Sequence, residues 1–140
     1  LDLAMPFTAT ILCVDDDEDD LSFIREAIDS QGHQFTIVEA MNGQEAMDFL
    51  QDALQKSQLP CLIIMDLNMP KMNGRETIDR IRADAALAAI PLAVFTTSSN
   101  TADKKYFEGS GIHFFTKPSD YRIFNQHIVD LLALCASLKG

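Results

Sequence analysis

Apolar residues in this chain fall into five short runs, separated by stretches with helical periodicity. The runs are TILCV (10–14), FTIVEA (35–40), CLIIM (61–65), LAVFT (92–96) and IHFFT (112–116). Several are nearly unbroken and rich in β-branched or aromatic residues, which predicts parallel strands covered on both faces. The intervening patterns predict five helices. The first spans about 19–30 and gathers Leu21, Ile24, Ala27 and Ile28 on one face, with Gly32 past its end. The second, 43–57, carries Ala46, Met47, Phe49 and Leu50; the third, 74–85, carries Ile78 and Ile81. The fourth, 101–108, is short and polar, and Tyr106 and Phe107 are its only large apolar groups. The fifth, 119–138, has Ile123, Phe124, Ile128, Leu131, Leu132 and Cys135 and is expected to dock firmly. Strand–helix alternation with short connections predicts a doubly wound α/β fold, a parallel sheet joined by right-handed crossovers. Five units in this length match the order 2-1-3-4-5, in which strands 1 and 3 flank a ligand crevice.

Length and composition add bounds. At 140 residues one domain is expected, here over 10–138, after a partly disordered N-terminal extension at 1–9 and with no output domain. The longest apolar stretch, AALAAIPLAVF (85–95), is too short for a membrane span and is broken by Pro91. The start, LDLAMPFTAT, has neither the basic residues nor the apolar centre of a secretory signal, so a cytoplasmic protein is expected. A formal charge of −10 argues against a nucleic-acid surface, which needs a basic stripe. Six of the 21 acids lie in the single run DDDEDD (15–20), so much of the acidity is local. Cys13, Cys61 and Cys135 are odd in number and far apart; they read as reduced core residues of a cytosolic protein, with no zinc spacing.

The candidate chemistry sits where the runs end. Asp15 and Asp16 close the first run, Asp66 the third, Thr96 the fourth, and Lys117 follows the fifth. In the predicted order the first and third strands are neighbours, so the three acids meet. At about 4 Å such charges repel by roughly 4 kcal/mol at an effective dielectric near 20. The cluster therefore calls for a cation or a retained proton. Oxygen-only ligands suit Mg²⁺, which completes its shell with water and phosphate oxygens. Helix capping is the plainer role for Asp15 and Asp16, and Asp17 to Asp20 are expected to cap. Asp66 alone would suit a turn. The segment after it holds Asn68, whose carbonyl can face a cation, Pro70, and Gly74, which permits a tight turn or a close approach at the next helix. A carboxylate beside a metal can also attack phosphorus. Thr96 and Lys117 would bind the oxygens of a phosphoryl group on Asp66.

The motifs VDDDEDD (14–20), MDLNMPKMNG (65–74), FTTSS (95–99) and FFTKPSD (114–120), in this order, resemble a response-regulator receiver domain of two-component signalling. The resemblance runs from about residue 10 to 138 and implies a flavodoxin-like fold. It implies that Asp66 accepts phosphoryl from a sensor histidine kinase or a histidine phosphotransfer protein. Mg²⁺ would be held by Asp16, Asp66 and the Asn68 carbonyl, with Asp15 acting mainly through water. Lys117 would pair with the phosphoryl group, Thr96 would swing toward it, and Phe114 stands at the switch aromatic, where a plain core role is the alternative. Asn68 and Ser98 occupy positions that tune phosphate lifetime. Output would pass through the face built from the fourth strand, the helix at 101–108 and the fifth strand to a partner protein. The resemblance implies a switch rather than an enzyme, beyond its own phosphotransfer and slow autodephosphorylation.

Two features depart from the common pattern. Thr97 stands where a smaller residue is frequent, and EGSGIHFFTK (108–117) is one residue short between its glycine and Lys117, which bears on the placement of Phe114. The acid-rich start is similar to stand-alone regulators, including those paired with phytochrome-type kinases. The rival reading is a Mg²⁺-dependent phosphohydrolase with an Asp nucleophile, but those enzymes carry a second acid where this chain has Asn68.

Overall fold

The computed structural model describes residues 7–32, 35–67, 69, 72–96, 101–107, 109–117 and 121–139. Five parallel strands form one sheet: β1 (Phe7–Val14), β2 (Thr36–Ala40), β3 (Leu59–Met65), β4 (Leu92–Thr96) and β5 (His113–Thr116). Their order is β2-β1-β3-β4-β5, the predicted doubly wound order. The helices are α1 (Glu18–Asp29), α2 (Gly43–Gln55), α3 (Gly74–Ala83), α4 (Ala85–Ala88), α5 (Thr101–Phe107) and α6 (Tyr121–Lys139).

Alternation along the strands divides the core in two. Leu12, Val14, Ile63, Met65 and Val94 face α2, α3 and α4, where Leu50, Ile78, Ile81 and Leu87 meet them. Ile11, Cys13, Leu62, Ile64 and Phe95 face α1 and α6, against Ile24, Ile28, Ile128 and Leu131. Every residue of β3 is buried because both of its faces are covered, which is why its sequence is an unbroken apolar run.

Several boundaries differ from those expected. Phe7 and Thr8 pair with Leu59 and Pro60, so β1 begins three residues early and Phe7–Ala9 belong to the sheet rather than to an N-terminal extension over 1–9. The third helix ends at Ala83, because Asp84 adopts extended backbone and its side chain accepts from Ala86 N–H to open α4. Leu87 then fills the core as a fully buried side chain. Ile123 does not join the docking stripe of α6. It lies one residue, about 100°, from the row Phe124, Ile128, Leu131 and Cys135, and is 49% exposed.

The short helix α5 is tied down more than its polar sequence suggests. Phe107 is buried and stacks on Phe114 with centroids 6.1 Å apart. Tyr106 donates to Asp79 Oδ1 at 2.9 Å, and the Arg75 guanidinium lies 3.6 Å above its ring. Arg82 donates to the Ser110 carbonyl at 3.0 Å, a further link from α3 to the turn after α5.

Cys61 and Cys135 are not separate reduced thiols. They form a disulfide between the start of β3 and the last part of α6, with Cα atoms 5.2 Å apart. Packing of α6 across the sheet brings together residues 74 positions apart, a proximity no local pattern reveals. Cys13 stays free and buried, and burial pushes its thiol up to about 12. Closing so long a loop stabilises by about 4–5 kcal/mol in the chain-entropy account. The Cys61→Ala/Cys135→Ala variant is therefore expected to melt roughly 10–15 °C below the oxidised parent in calorimetry.

Candidate functional site

The site forms where the chain leaves the carboxyl ends of the strands. Backbone bonds fix each exit: Asp15 N–H to the Ala40 carbonyl at 3.0 Å, Asp66 N–H to the Val14 carbonyl at 2.9 Å, and Lys117 N–H to the Thr96 carbonyl at 2.7 Å. The acid run then divides its labour. Asp17 caps α1, its side chain accepting from Asp19 and Asp20 N–H at 2.9 and 3.3 Å. Asp15 points inward and accepts from Asp17 N–H at 3.0 Å.

Gly74 shapes the floor. Its N–H donates to the Leu67 carbonyl at 3.1 Å, and a Cβ there would collide with the Asp66 carbonyl. Of the two roles open to this glycine, close approach is the one used. The first turn of α3 thereby presses directly on the main chain that carries Asp66.

Asp15, Asp16 and Asp66 each offer a carboxylate oxygen, and the three lie within 4.8 Å of one another. Asp15 and Asp66 are buried and Asp16 is exposed, so the cluster is closed beneath and open to solvent through Asp16. Lys117 Nζ sits 2.6 Å from Asp15 Oδ2, 2.6 Å from Asp20 Oδ2 and 3.9 Å from Asp66 Oδ2. Burial pushes the Asp15 carboxyl up to about 6, against the hydrogen bonds from Lys117 and the Asp17 N–H and with the added repulsion of Asp66. Burial pulls the Lys117 ammonium down, but its hydrogen bonds to Asp15 and Asp20 outweigh that and hold its pKa above the ordinary value. One ammonium among four carboxylates leaves the pocket short of positive charge. Oxygen donors at this spacing, strained by their own repulsion, fit a hard divalent cation.

The expected residues Asp15, Asp16, Asp66 and Lys117 are thus brought together. Thr96 ends β4 beside them and is fully buried. Phe114 pairs in register with Val94, on the sheet face toward which Thr96 also alternates, and it is half-buried against Phe107. Asn68 and Ser98 lie outside the described residues, as do Pro70 and Thr97. Asp20 was expected only to cap α1; instead its carboxylate reaches Lys117. A signal for this exists in the sequence. Stepping back by fours from Ile28 through Ile24 lands on Asp20, the next turn of the buried stripe.

Lys117 is 12% exposed and Asp15 3%, so removing the cation strands buried charge. Lys117→Met is expected to destabilise the fold by about 2–4 kcal/mol in urea unfolding. Adding Asp15→Asn to it should recover part of that loss, with a coupling of about 1–3 kcal/mol in the double-mutant cycle.

Comparison with known proteins agrees with this geometry. The response regulator receiver domain matches residues 11–129. Protein PilH of Pseudomonas aeruginosa is 30% identical over 126 residues, covering 89% of this chain and 98% of PilH. The crystal structure of the phosphorylated cyanobacterial phytochrome response regulator RcpA superposes with a TM-score of 0.79 at 28% identity, over 91% of this chain and 94% of that one. The Mn²⁺-bound form of response regulator Rcp1 gives 0.75 at 29% identity, over 89% and 91%. With its sheet order, its acid cluster and its lysine in place, the chain belongs to the response-regulator receiver family.

Proposed function

We propose that this chain is a phosphorylation-activated signalling switch whose acceptor is Asp66. The phosphoryl donor is a phosphohistidine on a sensor histidine kinase or a histidine phosphotransfer protein. The observation that carries the reading is the convergence of Asp15, Asp16 and Asp66 within 4.8 Å, with Lys117 Nζ 3.9 Å from Asp66. In the transfer, the donor's P–N bond breaks and a P–O bond forms to a carboxylate oxygen of Asp66. Asp15, Asp16, Asp66 and the carbonyl of Asn68 would hold Mg²⁺, whose positive charge offsets the negative charge gathered at the phosphorus. RcpA in phosphorylated form and Rcp1 with Mn²⁺ support the same use of this site. Lys117 supplies the fixed cation, and burial of the pocket strengthens its pull on an incoming oxyanion.

The switch lies next to the acceptor. A phosphoryl group on Asp66 offers Thr96 and Lys117 oxygens that exist only in the modified state, a differential interaction that selects between two arrangements. Thr96, Phe114 and Phe107 link the pocket to α5, so the face of β4, α5 and β5 is where a downstream protein reads the change. Phosphate lifetime is tuned at Asn68 and Ser98. Turnover is confined to the chain's own phosphate, which is lost slowly. A cytoplasmic location fits this donor.

Acetyl phosphate with Mg²⁺ is expected to add one acid-stable, base-labile phosphoryl group, read by intact mass, and none to Asp66→Asn. Omission of Mg²⁺ should abolish the addition. Equal modification of the parent and the Asn variant would refute Asp66 as acceptor. Thr96→Ala should still be modified but lose the accompanying NMR shifts in α5 and β5.

A further inference from the structure

Lys117 has a second strong partner that the reading of the site above leaves without a role. Its ammonium carries three N–H bonds. Asp15 Oδ2 and Asp20 Oδ2 each take one at 2.6 Å, and Asp66 Oδ2, at 3.9 Å, is beyond hydrogen-bond range. The two acids are placed by different elements: Asp15 directly follows β1, and Asp20 stands on the first turn of α1. The Asp20 side chain is 30% exposed and Lys117 12%, so this is a partly shielded ion pair rather than a loose surface contact. Asp20 also adds a fourth negative charge to a pocket that already has three.

We propose that Asp20 is a positioning residue, a competing counter-ion that holds the Lys117 ammonium in the resting site and lowers its availability to an oxyanion at Asp66. The proposal deepens the reading of Asp66 as phosphoryl acceptor and rests on it. A group bonded to Asp66 must draw the ammonium toward itself and away from the 2.6 Å contacts. Asp15 belongs to the acid cluster that would face a bound cation, whereas Asp20 lies outside that cluster and is the partner still opposing that transfer. Its charge therefore acts in two opposite directions: it favours a cation entering the pocket and disfavours an anion following it. Asp20 thus sets how strongly the site must be loaded before Lys117 changes partners.

The opposed signs supply the test. Mg²⁺ affinity is measured by calorimetry, and beryllofluoride affinity at saturating Mg²⁺ by fluorine NMR, for the parent, Asp20→Asn and Asp20→Glu. Asp20→Asn keeps an oxygen acceptor near Lys117 but removes the charge. It is expected to bind Mg²⁺ several-fold more weakly and beryllofluoride several-fold more tightly. Asp20→Glu should return both affinities toward the parent's. The ammonium resonance of Lys117 should shift in Asp20→Asn before any ligand is added, reporting the lost ion pair directly. A general loss of structure would weaken both ligands together, so it cannot imitate this pattern. Beryllofluoride affinity that falls, or stays within about twofold of the parent, overturns the proposal. A parent that binds Mg²⁺ but no beryllofluoride refutes the phosphoryl-site reading itself, and the role of Asp20 falls with it.

Discussion

One ammonium among four carboxylates is the constraint around which this fold is arranged. Lys117 is placed by β5, Asp15 by β1, Asp66 by β3 and Asp20 by α1, and the doubly wound order brings those four elements to one rim. The strands contribute little polar chemistry of their own; β3 is buried over its whole length. Polar function begins at the first residue past each apolar run, where main-chain bonds to the neighbouring strand settle the direction of exit. The core holds these ends close enough that their charges must be solved jointly. Burial of Asp15 makes the solution incomplete, which is why its carboxyl is pushed up to about 6 despite a hydrogen-bonded lysine.

Close packing continues from the pocket to α5. Gly74 brings the first turn of α3 onto the Asp66 main chain, and α3 in turn holds Tyr106 of α5 through Asp79 and Arg75. On the opposite flank, Thr96 and Phe114 lead to Phe107 of the same helix. Two sets of contacts therefore meet at one short element. One is polar and partly exposed, while the other is aromatic and largely buried.

Much of this was legible from residue patterns. Short, nearly unbroken apolar runs announced covered parallel strands, and the acids that end the first and third runs located the crevice. The boundaries were harder. Phe7 joins the sheet only because Leu59 and Pro60 extend β3 to meet it, a pairing between distant segments. Asp84 ends one helix and starts another, a double role that apolar periodicity does not register. Asp20 was hidden in a run of six acids, where composition says capping and only helical phase separates the residue that turns inward. The Cys61–Cys135 bond had no local signal at all, since its condition is the landing point of α6 on the sheet.

That bond has a geometric consequence for α6. Cys61 lies at the amino end of β3 and Asp66 just beyond its carboxyl end, about 16 Å further along at the usual strand rise. Cys135 is thus fastened at the pole of the domain away from the pocket, while the opening turn of α6 lies near Lys117 in the chain. A helix pinned at one extremity cannot slide along its axis. Cys135 stands in the same buried row as Phe124, Ile128 and Leu131, so the bond adds a covalent fix to the packing that already seats this helix on the sheet.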